Sequence, residues 1–175
     1  MGKRSFFPRL ALVNMVRNSR YYGPYLLSCG ALAAMYYILR FLTWNEVIQT
    51  VRGAAYLQVM MSIGCFVVAL FSTVLLLYAN SFVMKRRQKE LGLYNILGLE
   101  KRHIAALCFW ETLLCAAVVI PGGIAAGILL SKLILLLLLK LVQIPVQFGF
   151  SVSVRGVGET AALLGVLFLL ALLWN

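Results

Sequence analysis

Carboxylates, histidine and cysteines decide which chemistry this sequence can carry. Its five acids are Glu46, Glu90, Glu100, Glu111 and Glu159, scattered so that none forms an evident acid–base pair. His103, the only histidine, follows Lys101 and Arg102 and reads as part of a solvated turn rather than a ligand or proton relay. Cys29, Cys65, Cys108 and Cys115 lie in or beside apolar runs without a Cys-x-x-Cys pair. They read as small buried hydrophobes, not as a zinc site or a disulfide framework. No G-x-x-x-x-G-K-[ST] stretch is present to cradle nucleotide phosphates. We therefore expect no catalytic residue, no metal site and no cofactor bound by this chain.

What the chain does concentrate is positive charge. The stretch YANSFVMKRRQKELGLYNILGLEKRHIAAL, residues 78–107, holds Lys85, Arg86, Arg87, Lys89, Lys101 and Arg102 between two strongly apolar runs. Arg86 and Glu90 can pair at i, i+4 on a helical end. Between Gly92 and Gly98 the spacing predicts a turn that exposes Leu93, Tyr94, Ile96 and Leu97. An apolar turn held out by charged helix ends is the shape of a knob for a partner.

The elements that position this block must be membrane helices. The chain of 175 residues is 63% hydrophobic and only 12% charged, far from the roughly 45–50% and 25% of soluble domains. A net charge of +11 could suit nucleic acid, but the basic residues gather in blocks beside apolar runs instead of covering a soluble face. Runs of about 20 apolar residues cross a bilayer, and four candidates stand at 25–44, 56–82, 104–139 and 160–175. Lys and Arg cluster before the first run and after the second, which places both ends of the chain and the segment 83–103 in the cytoplasm. Residues 45–55 then form a short external loop and 140–159 a second one, partly strand-like and carrying Arg155. The first run reads as an uncleaved anchor, since Ala31-Leu32-Ala33 lies in its middle and apolar residues continue to Leu42.

Ahead of the first span, residues 1–24 form an amphipathic segment. A helix over 4–20 sets Ala11, Leu12, Met15, Val16 and Ser19 against Arg9, Asn14, Arg17, Asn18 and Arg20, as suits a helix on the cytoplasmic interface. Gly23-Pro24 is expected to break it. The third run, at 36 residues or about 54 Å, is too long to cross upright. A kink at Pro121 is expected there, followed by Gly123 and Gly127 in a G-x-x-x-G face for close helix approach. A hairpin of two short spans is the alternative. Arg40 and Lys132 can snorkel to the outer interface.

Glu111, inside the third run, is a costly place for a carboxylate and has two readings. It serves a function within the membrane, or it pairs with a basic residue such as Arg102 or Arg87. The last run is short, stops at Trp174-Asn175 without a basic flank, and is expected to be an incomplete fourth span of a longer protein. The fold class expected is thus an all-α integral membrane protein with an interfacial helix and four transmembrane helices.

LLYANSFVMKRRQKELGLYNILGLEKRHIAALCFWET, with its K-R-R, x-E-x-G-L, L-G-x-x-[KR] and a following span bearing a glutamate, resembles the signature of the FtsX-like ABC transporter permeases. The resemblance covers residues 56–175. It implies that the cytoplasmic segment docks on an ABC ATP-binding subunit, itself a dimer that holds the ATP and Mg. The docking candidates are Lys85, Arg86, Arg87, Glu90, Gly92, Leu93, Tyr94, Leu97, Gly98, Lys101 and Arg102. The short 45–55 loop resembles the bacitracin-type subgroup, which implies peptide-antibiotic resistance or export, a bacterial cell-membrane location and a sensor histidine kinase as a further partner. A stand-alone scaffold or regulatory subunit and an ion-driven secondary transporter are the other classes open to the sequence.

Overall fold

The computed structural model describes residues 6–45, 53–96, 101–141 and 153–174. Nearly all of them are helical, and no strand occurs among them. The helices are α1 (Phe6–Arg17), α2 (Ser19–Thr43), α3 (Ala54–Ile96), α4 (Lys101–Leu141) and α5 (Val154–Trp174). Four of these, α2 to α5, are long and apolar enough to cross a membrane.

Several boundaries differ from the sequence expectation, and one physical cause accounts for most of them. In hydrocarbon an unsatisfied backbone group costs several kcal/mol, so a helix continues through residues that would end it in water. The break between α1 and α2 falls at Asn18, and α2 runs on through Gly23 and Pro24. The third apolar run is a single helix of 41 residues with Pro121 inside it, so the hairpin alternative is not what forms. Val154 to Glu159, expected in a loop, already belong to α5. Ser153 starts that helix: its side-chain oxygen accepts the Gly156 N–H at 3.1 Å. At 21 residues, or about 31 Å, α5 is long enough for a full crossing.

Four threonine hydroxyls inside the helices are satisfied locally. Thr43, Thr73, Thr112 and Thr160 each donate to the carbonyl four residues back, at 2.7–3.0 Å.

In the bundle α2 packs against both α3 and α4, while α5 reaches all three and α1 lies against α4. One core gathers Tyr22, Tyr25 and Cys29 of α2 with Leu76 of α3, Cys115 of α4 and Phe168 of α5. Outward faces are as apolar as the core: Phe66, Phe71 and Val74 on α3 and Leu129 and Leu133 on α4 are exposed, as suits lipid rather than water. Where α2 and α4 cross there is almost no space between backbones. A methyl group at Gly123 would collide with the Ala33 Cβ and lie 3.0 Å from the Gly30 carbonyl oxygen, and one at Gly127 would lie 2.9 Å from the Tyr37 ring. Gly122, in contrast, has open space around it.

On α1 the buried face is not the one its amphipathic pattern suggests. Ala11 and Asn14 are buried, whereas Leu12, Val13 and Val16 are exposed. Small Ala11 lets α1 approach α4, and the larger apolar side chains are left facing outward.

Candidate functional site

At 43 residues α3 is about 65 Å long, twice the roughly 30 Å of a hydrocarbon core. It therefore projects from the membrane, and the projecting end is the basic one. Successive residues on a helix point about 100° apart, so Lys85, Arg86 and Arg87 cannot all face water. Lys85 and Arg86 are exposed; Arg87 turns inward and is 1% exposed.

Arg87 finds two partners there. Its Nη1 donates to the Glu111 carboxylate of α4, with which it forms an ion pair, and to the Tyr22 hydroxyl of α2 at 2.7 Å. Tyr22 in turn donates to the same Glu111 oxygen at 3.2 Å. The Arg87 guanidinium also lies over the Tyr22 ring, 5.8 Å from its centroid. Three spans are thus tied at one buried point, with Glu111 3% exposed. Burying two charges costs several kcal/mol each, which only close pairing and further hydrogen bonds offset. Tyr22 supplies such a bond to each. The other Glu111 oxygen has no hydrogen bond among the described residues, and Glu111 borders a cavity of about 20 Å³ shared with Tyr25, Asn80 and Thr112. A site of that size takes one water. Asn80 also bonds the Ala171 carbonyl at 3.3 Å, joining α3 to the last turn of α5.

A second charged group sits at the far end of α2. Arg40 Nε lies 2.5 Å from Glu159 of α5, and Arg155 Nε donates to the other Glu159 oxygen at 3.3 Å. The Arg155 guanidinium stacks 3.8 Å above the Trp44 ring. Lys132 lies over Phe41, 5.6 Å from the centroid.

The candidate docking residues fall into different settings. Lys85, Arg86 and Arg102 are exposed. Arg87 is not available for docking, because its charge is already engaged inside the bundle. Glu90, Gly92, Leu93 and Tyr94 lie on α3, which continues to Ile96 in place of the expected turn from Gly92 onward. One glycine costs a helix only about 1 kcal/mol, too little to end it among Lys, Glu and Leu. Lys101 begins α4, and Leu97 and Gly98 lie outside the described residues. Pro121 lies within α4, and Gly123 and Gly127 face α2.

Of the two partners expected for Glu111, Arg87 is the one it meets, and Arg102 is exposed. Sequence reasoning missed Tyr22, Asn80 and the Arg40–Glu159 pair. A signal existed for the last: Arg40 near the end of one span and Glu159 near the start of another lie at one depth if both face outward.

The family described as FtsX-like permease C-terminal matches residues 62–175. The bacitracin export permease protein BceB of Bacillus subtilis is 30% identical over 171 residues, which is 95% of this chain and 26% of that protein. BceB of Halalkalibacterium halodurans is 28% identical over 170 residues, 95% of this chain and 26% of its own length. An uncharacterized ABC transporter permease of Bacillus subtilis, YvcS, is 24% identical over 161 residues, 91% of this chain and 25% of that protein. The chain spans about a quarter of the length of these curated relatives.

Proposed function

The chain belongs to the FtsX-like permeases, and from that membership we propose that it works as membrane-spanning helices of an ABC transporter for resistance to, or export of, bacitracin-like antimicrobial peptides. ATP is hydrolysed on a separate nucleotide-binding subunit, which docks on the segment around residues 85–103. The N-terminus and that segment share the cytoplasmic side, in keeping with their basic residues.

The observation that carries this reading is the continuity of α3. It runs unbroken from its membrane-spanning part past Lys85 and Arg86 to Ile96, and Arg87 ties it to Tyr22 of α2 and Glu111 of α4. A push on the projecting end reaches three spans through one buried contact. Motion is transmitted because a packed interior shifts between discrete arrangements rather than stretching. Glu111, neutralised by Arg87, acts here as part of that joint, which leaves the secondary-transporter alternative without support from this residue.

The test is a mild-detergent pull-down from native membranes with the wild-type protein and with Leu93→Asp, followed by mass identification of what co-purifies. An ABC ATPase recovered with the wild type and lost with the variant is expected. Recovery of no ATPase from either form overturns the reading. Co-purification of a sensor histidine kinase in the same experiment tests that further partnership.

A further inference from the structure

A groove of about 570 Å³ runs between α2 and α3, with Tyr25 and Val83 of the shared core forming part of its wall. Tyr21, Ser28 and Met35 line it at seven-residue spacing on α2, and Leu75 and Phe82 do so on α3, so it follows one face of each helix. Its α2 wall, residues 20–35, rises about 22 Å and its α3 wall, residues 75–83, about 12 Å. One leaflet of a bilayer offers about 15 Å of hydrocarbon. The groove is therefore as long as one leaflet. Past it Leu39 Cδ1 stands 3.9 Å from where a side chain begun at Gly64 would lie, and a separate pocket opens farther on, between Arg40 and Trp44 of α2 and Gln58 and Phe66 of α3.

Charge is confined to one end. Arg20 lines the groove there, and the Arg86 guanidinium lies over the ring of Phe82, 5.2 Å from its centroid. Both arginines are exposed, and neither forms an ion pair with a carboxylate among the described residues. The other end, at Met35 and Leu75, is apolar. A transmembrane helix from a protein partner would need a track of about 30 Å and would leave two cations facing apolar surface. An occupant with one anionic head and a tail one leaflet long matches both length and charge, and basic pockets between spans hold such headgroups.

We propose that this groove binds one anionic phospholipid, its phosphate between Arg20 and Arg86 and an acyl chain along Ala31 and Leu75. The site requires only that α2 and α3 lie in a bilayer, and lipid retention is read without ATP coupling, although Arg86 also belongs to the segment proposed to dock the ATP-binding subunit. The lipid would set the spacing of α2 and α3 beside the Tyr22–Arg87 contact, which lies at the same end.

The test is native mass spectrometry of the full-length protein in mild detergent with phosphatidylglycerol or phosphatidylcholine of identical chains. Wild-type protein is expected to retain one phosphatidylglycerol with a preference of about tenfold or more over phosphatidylcholine. The double substitution Arg20→Gln, Arg86→Gln alters only exposed side chains and should bring the two lipids close to parity. Ala31→Trp keeps both arginines but fills the groove, and should lose both lipids. Equal retention of the two lipids by the wild type, or phosphatidylglycerol retention unchanged in either variant, overturns the proposal. So does a wild-type protein that retains neither lipid.

Discussion

Arg87 and Glu111 hold each other across the α3–α4 contact with almost no exposure to solvent. Each alone is an uncompensated buried charge, and removing one partner of such a pair costs about 3–5 kcal/mol, whereas replacing both by apolar side chains is often close to neutral. Arg87→Met and Glu111→Leu should therefore each lower the thermal midpoint of the detergent-solubilised protein markedly. The double variant should recover most of that loss. Additive losses in the cycle would mean that the two charges are not coupled.

Tyr22 joins this pair from α2 through a single hydroxyl. Tyr22→Phe keeps the ring packed among Tyr25 and Cys115 and deletes only the bridging bonds. Arg87 and Glu111 still hold each other when the hydroxyl is gone, so no buried charge is left unpaired and the loss should be smaller than for Arg87→Met. If α2 senses α3 through this hydroxyl, peptide resistance should fall further than the midpoint shift alone accounts for. Resistance assayed beside the membrane level of the variant separates the two effects.

Gly122 and Gly123 offer a paired test within one helix turn. Gly123→Ala puts a methyl against Ala33 and the Gly30 carbonyl, and overpacking of this kind costs about 1–3 kcal/mol. Gly122→Ala meets nothing and gains helix propensity, so it should be neutral or stabilising by about 0.5–1 kcal/mol. Ala33→Gly introduced with Gly123→Ala should restore part of the loss. Unfolding midpoints of the variants, measured in one detergent, check the order.

How much of this was legible in the sequence depended on the range of the interaction. Apolar runs follow from local composition, so four spans could be counted, and Glu111 stood out because a carboxylate is costly in such a run. Helix ends were less legible. Gly92, Pro24 and Val154-Arg155-Gly156 all carry turn-like chemistry calibrated on water, and the helices run through them. Contacts between distant segments were legible only where unlike charges demanded each other. Glu111 could be offered Arg87 as a partner, but nothing in the types of Tyr22 and Asn80 announced that they border the same site. The inward turn of Arg87, following the exposed Lys85 and Arg86, depended on the rotation of α3, which its run of three cations does not encode.

The Arg40–Glu159 pair should behave unlike Arg87–Glu111, although both link two spans. Its side chains are 23% and 26% exposed, against 2% and 4% for the buried pair, so water and salt reach these residues in part, and the pair should contribute closer to the about 0–1 kcal/mol of exposed pairs. Glu159→Gln should therefore shift the midpoint only slightly, and the difference from wild type should shrink as salt rises, since the Debye length falls from about 10 Å at 0.1 M to about 3 Å at 1 M. Arg155 keeps its place over Trp44 in that variant, which limits the loss further. Arg87→Met, sealed from solvent, should show no such salt dependence. Midpoints taken for both variants at low and high salt decide the matter, and an equal salt response would contradict the difference in burial.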